Sequence, residues 1–151
     1  MDETDIRILE ILQENSKISN KKLSEKIGLN PSSTLERVKK LENKEIIKKY
    51  TALLNMEKLG FITIAFIQVS LKRHNKQSIE KFIKSLEAIP EIVEFYHIAG
   101  RYDYMLKIYV KSNKQLQRFL MEKITSIEIV DKTETMLVFQ EKKYDLKISA
   151  E

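Results

Sequence analysis

Between Ile18 and Tyr50 the chain reads ISNKKLSEKIGLNPSSTLERVKKLENKEIIKKY, and the punctuation of that run leaves few ways to fold it. Ser19 is a capping residue for a helix whose apolar positions, Leu23 and Ile27, lie one turn apart. Gly28 permits the positive φ that ends it, and Leu29 follows as a plug for the core. Asn30 then caps a second helix, opened by Pro31, whose φ is already helical and which has no N–H to leave unpaired. On that second helix Leu35, Val38 and Leu41 are expected on one apolar face, with Ser32, Ser33, Glu36, Arg37 and Lys40 toward the other. Residues Ile46 to Leu54, IIKKYTALL, are expected as a short basic strand and its exit.

This is the outline of a winged helix-turn-helix. Such units send the N-terminal part of the second helix into the major groove, where hydroxyls meet bases or phosphates and Arg pairs with guanine. Ser32, Ser33, Thr34 and Arg37 are therefore the candidate readers. Lys39, Lys40, Lys44, Lys48 and Lys49 suit phosphate contacts, which position a protein on double-stranded DNA without reading sequence. An ordinary surface helix with a solvated basic face has the same periodicity. Charge layout favours the DNA reading: residues 17–50 hold ten Lys or Arg against four Glu, while the preceding helix is acidic through Asp2, Glu3, Asp5, Glu10 and Glu14.

The 151 residues, 42% hydrophobic and 32% charged, suffice for one ordinary domain or two small ones, and a change of period favours two. Up to Asn43 the apolar spacing is helical; from Phe61 it becomes strand-like, as in FITIAFIQVSL. Domains are expected at 1–50 and 61–151, joined by a linker at 51–60. The second half repeats one order: strand from Phe61 to Leu71, helix opened by Asn75, strand from Ile92 to Ile98, then strand from Tyr104 to Val110, helix with Ser112 and Gln115 as a capping box, and strand from Ile129 to Phe139. With right-handed crossovers, βαββαβ predicts an α+β chain whose C-terminal domain is a ferredoxin-like sheet with both helices on one face. Ile64 and Phe66 alternate with Ala65 and Ile67 in the first strand, and Met105 and Tyr109 with Leu106, Ile108 and Val110 in the third, so both faces are apolar although helices cover only one, and a homodimer formed face to face through this domain is expected.

The absence of Cys excludes disulfides, thiolate metal sites and a cysteine nucleophile. No signal peptide or bilayer-spanning run is visible, so a cytoplasmic protein without membrane association is expected, and the net charge of +5 favours anionic partners. His74 and His97 are the only histidines, and no catalytic triad, metal-ligand cluster or phosphate-cradling motif accompanies them, so neither enzyme activity nor a cofactor or metal is expected.

Three stretches together resemble the Lrp/AsnC family of transcription regulators over essentially the whole chain: MDETDIRILEILQENSK, IGLNPSSTLERVKKLENKEIIKKYTALLN, and HIAGRYDYMLKIYV from His97 to Val110. The resemblance implies an N-terminal DNA-binding domain and a C-terminal domain that senses a small effector, usually an amino acid. It also implies dimers that assemble further, commonly to octamers, and an effector site around the loop Ala99, Gly100, Arg101, Tyr102, Asp103 and Tyr104, with Thr133 and Thr135 as weaker additions. Gly100 would let backbone N–H groups approach an α-carboxylate, and Asp103 would suit an α-ammonium. A plain hairpin turn, with Asp103 capping backbone, uses the same residues.

Two positions depart from the family pattern. Glu45 stands where Gly usually follows the second helix, so a different helix end and wing orientation are expected; Ser24 stands where Ala is usual. Two other functions remain open: an architectural DNA binder without a ligand, and an enzyme of the siroheme decarboxylase type, which shares the architecture.

Overall fold

The computed structural model describes residues 1–142, and these divide into two units, Met1–Leu53 and Leu54–Lys142. The first unit is three helices: α1 (Glu3–Glu14), α2 (Asn20–Ile27) and α3 (Pro31–Asn43). Each begins at a side-chain cap. Asp2 and Asp5 form a reciprocal capping box on α1, Ser19 accepts from Lys22 N, and Asn30 accepts from Ser33 N with Pro31 opening the helix. Gly28 ends α2 at φ 73°. Ile8, Leu9, Leu23 and Leu41 form the core of this unit, with Ile27, Val38 and Ile47 packed against it. Ser24 is buried, and its hydroxyl donates to Lys21 O at 2.7 Å, which explains why a polar side chain is accommodated there.

Glu45 adopts φ 56°, the only described non-glycine residue with positive φ. The expectation of a different helix end is thereby overturned: Glu45 N donates to Glu42 O, and Ile46 N and Ile47 N both reach Leu41 O. This is the left-handed C-terminal closure that normally uses glycine. The expected wing strand is also corrected. Among the described residues no strand lies between Asn43 and Thr63, and IIKKYTALL makes no ladder with any described strand. Tyr50 is instead tied back to α3 by its hydroxyl, which donates to Glu42 at 2.9 Å.

The second unit begins with a turn closed by Phe61 N on Met56 O, so residues 54–60 pack with the domain they were expected to precede as a linker. Then follow β1 (Thr63–Leu71), α4 (Lys76–Glu87), β2 (Ile92–His97), β3 (Tyr104–Val110), α5 (Asn113–Phe119), a π-helical turn at Leu120–Ile124, and β4 (Val130–Leu137). The sheet is antiparallel in the order β2-β3-β1-β4, the ferredoxin-like arrangement. Residues 143–151, included in the expected second domain, lie outside the described residues.

One face of the sheet carries Ala65, Ile67, Val69, Leu106, Ile108 and Val110, buried against Phe82 and Leu86 of α4 and Leu116 and Phe119 of α5. The other face holds Ile64, Phe66, Met105 and Tyr109, as the alternation in β1 and β3 requires. At its centre lies Lys107, 6% exposed, which pairs with Glu141 and stands 5.4 Å from the ring centroid of Tyr109 and 5.9 Å from that of Phe66. This face thus combines an apolar patch with a paired cation, and the register adds Gln68, Glu94 and Glu134 to the same side, a mixture the residue alternation alone did not reveal.

Candidate DNA-reading helix and effector loop

The helical period of α3 buries Thr34 and Leu41 and half-buries Arg37 and Val38. That turns Ser32, Leu35, Glu36 and Lys39 outward as one stripe, spaced at i, i+3, i+4 and i+7. Ser32 and Ser33 sit at the N-terminal turn; the Ser32 hydroxyl donates to Asn30 Oδ1 at 2.8 Å and its lone pairs remain free for another partner. Lys39, Lys40, Lys44, Lys48 and Lys49 are all exposed, and the structure gives none of them an ion pair with a described residue.

Two of the expected readers serve the fold. Thr34 is fully buried, and its hydroxyl donates to Asn30 O at 2.9 Å. Arg37 Nη1 lies 2.7 Å from both Asp2 Oδ2 and Asp5 Oδ1. These bonds raise the Arg37 pKa, Asp2 being the larger cause and Asp5 the next. Leu35, expected in the core, is 44% exposed instead. The outward stripe thus includes Leu35 and Glu36, which residue type alone did not mark as readers.

The 99–104 loop connects β2 to β3. Gly100 has φ 149°, while a Cβ added there would meet nothing within 4 Å, so backbone conformation rather than space selects glycine. Ala99 and Arg101 are exposed, and the Arg101 guanidinium stands 5.9 Å from the ring centroid of Tyr102. The Tyr102 hydroxyl donates to Glu134 of β4 at 2.7 Å, and this bond raises the pKa of the phenol. Thr133 and Thr135 pair with Val69 and Ile67 and so share the helix-covered side of the sheet. Glu134, between them, is the β4 residue that reaches the loop.

Asp103 is held at both carboxylate oxygens. Oδ2 accepts from Leu71 N at 2.7 Å, and Oδ1 lies 3.0 Å from His74 Nε2. Its own backbone bonds Val69 O and Ile98 N, so it fastens the loop to the end of β1. The His74 side chain is 62% exposed, whereas that of Asp103 is 24% exposed. Tyr104 is buried: its ring stacks on His97 at 4.9 Å and meets Phe82 at 5.0 Å. Burial raises its pKa, with Asp103 adding to the shift. A cleft of about 380 Å³ opens just beyond β1, walled by Lys72, Arg73, Ser78, Lys81, Phe82 and Ile127–Ile129.

Among the described residues no group of three or more His, Asp or Glu is disposed to hold a metal, and no helix is long and apolar enough to cross a membrane.

Comparison with known proteins finds two family models. Residues 1–48 match a winged helix-turn-helix DNA-binding model, and residues 64–148 match the Lrp/AsnC ligand binding domain. The chain is 35% identical over 148 residues to the transcriptional regulator AzlB of Bacillus subtilis, covering 98% of this chain and 94% of that protein. It is 38% identical to the leucine-responsive regulatory protein of Haemophilus influenzae, covering 95% of this chain and 86% of the relative. A crystal structure of a Neisseria meningitidis transcriptional regulator in complex with L-Met superposes with a TM-score of 0.92 at 34% identity, covering 97% of this chain and 95% of that one.

Proposed function

The chain belongs to the Lrp/AsnC family of transcription regulators, and from that premise we propose that it reads duplex DNA through α3 and adjusts its affinity to an amino acid or closely related metabolite bound in the second unit. It is a DNA-binding regulator with an N-terminal helix-turn-helix and a C-terminal ligand-binding domain. The observation that carries the DNA reading is the division of α3. Thr34 and Leu41 face the core, while Ser32, Ser33, Lys39 and Lys40 are left for groove and phosphate.

An amino acid fits the loop on chemical grounds. The α-ammonium takes the Asp103 oxygen now shared with exposed His74, and the α-carboxylate takes backbone N–H groups beside Gly100 or the guanidinium of Arg101. The Neisseria relative with L-Met supports the ligand class and leaves its identity open. Thr133 and Thr135 are weaker members of this site than Glu134.

We also propose a homodimer formed through the open face of the sheet, where Ile64, Phe66, Met105 and Tyr109 surround the Lys107–Glu141 pair. Higher assembly, to octamers, rests on family resemblance. Sedimentation velocity at micromolar concentration should give a dimer or larger; a stable monomer would refute this step. The chain is read as a regulator and not an enzyme, and a purified protein coloured by bound tetrapyrrole would reverse that.

The central test is fluorescence anisotropy of the full chain on DNA upstream of its own gene, across a salt series, with and without the twenty amino acids. Tight, salt-steep binding that shifts with the mixture supports the whole reading. Binding indifferent to the mixture favours an architectural role, and no binding to any DNA at low salt refutes the DNA reading.

A further inference from the structure

We propose that Leu35 is a base-reading residue, and that what it reads is the C5-methyl group of thymine. This rests on the DNA-binding role of α3. The helix carries three large aliphatic residues; Leu41 is buried, Val38 is packed against the core, and Leu35 alone is 44% exposed. It stands on the outward stripe one turn beyond Ser32 and one turn before Lys39, beside Glu36. Its neighbours on that stripe are polar or charged, so there is no apolar patch for a protein partner to cover.

A major groove, in contrast, offers hydrogen-bonding groups with a single apolar feature, the thymine methyl. An aliphatic side chain flanked by a hydroxyl, a carboxylate and an ammonium matches that mixture. Thr34, the adjacent residue, takes the core position and bonds its hydroxyl to Asn30 O. The helix is therefore phased so that the smaller, hydrogen-bonded residue goes in and the larger apolar one goes out.

The test begins with selection of a preferred site from random duplexes by the full-length protein. The site is then resynthesised with each thymine replaced singly by deoxyuridine, which removes one methyl and nothing else. At one thymine in each half-site, the wild type should lose affinity about four-fold, the worth of burying one methyl group. Leu35→Ala should show almost no difference between thymine and uracil at that position, and Leu35→Met should restore it. Equal melting temperatures for the three proteins would show that folding is not the cause. The proposal fails if no thymine is methyl-sensitive or if Leu35→Ala keeps the full sensitivity. Selection that enriches no sequence would overturn sequence reading by α3 as a whole, and Leu35 with it.

Discussion

Arg37 of α3 lies 2.7 Å from the carboxylate of Asp5, in the first turn of a different helix, although 32 residues separate the two in the chain. The same Nη1 also reaches Asp2, and Asp2 and Asp5 cap α1 reciprocally. One guanidinium thus locks the start of the first helix to the middle of the third. Arg37→Ala should lower the melting temperature of the N-terminal unit and weaken binding to all DNA sequences alike. Loss of discrimination at a single base pair, with unchanged melting, would instead make Arg37 a reader. Calorimetry and binding to singly substituted sites decide between them.

Acid should weaken both units. Asp2 is held below its ordinary 3.8, first by the N–H of Asp5 and then by Arg37. Burial, the largest single influence, pushes Glu91 up, but the hydrogen bond from Lys123, 2.7 Å away, its own backbone N–H and the Lys123 charge together outweigh that and leave it below its ordinary 4.5. A carboxylate with a depressed folded value binds fewer protons folded than unfolded. Its stabilisation is present above the unfolded value and is lost as pH falls through the folded one. Melting temperatures measured downward from pH 5 should fall more steeply for the wild type than for Arg37→Ala or Lys123→Ala.

Glu45 at φ 56° is a side-chain-bearing residue in glycine's place. Glu45→Gly should raise stability by about 0.5–1 kcal/mol, the relief of left-handed strain less the entropy that glycine loses. Glu45→Ala, which keeps a Cβ, should show no such gain in denaturant titration.

Burial and then the hydrogen bond to Glu42 push the Tyr50 phenol up to about 12. Carbon-detected NMR of labelled tyrosine should follow its ionisation there. Glu42→Gln should bring it partway back toward 10, the burial contribution remaining. Since the folded value is raised, the stabilisation from Tyr50 is complete below pH 10 and is lost as pH rises through the folded value.

Phe82 is fully buried and touches Tyr104, whose other side stacks on His97. Phe82→Ala should cost about 3–5 kcal/mol in the second unit. Tyr104→Phe keeps both ring contacts and should leave any amino-acid response intact, as expected of a packing residue at the base of the loop rather than a ligand contact.

Much of the architecture was legible because its signals are local. The caps at Ser19, Asn30, Asn75 and Ser112 each bond a backbone N–H three residues ahead, and the strand alternation in β1 and β3 repeats over adjacent residues. The phase of α3 was harder. Stripes through Thr34 or Leu35 both include Val38; the observed phase is the one that brings Thr34, Val38 and Leu41 inward together, with the Thr34 hydroxyl satisfied by Asn30 O. Arg37 with Asp2 and Asp5, Asp103 with Leu71 and His74, and Tyr102 with Glu134 are pairings across about thirty residues. No spacing rule connects such partners, so residues that looked free for ligand or DNA were already engaged. The wing is a related case: strand propensity at Ile46–Leu54 is local, but a strand also needs a partner, and no described strand pairs with this segment.

The division of labour along α3 also bears on how target preference can drift. Thr34, Arg37, Val38 and Leu41 hold the helix in place, and Ser32, Leu35, Glu36 and Lys39 look outward, Ser32 also bonding the Asn30 cap. Duplicate copies of such a gene can exchange the second set freely while the first keeps the domain folded. If α3 reads DNA as proposed, new operators would then lie a few substitutions away.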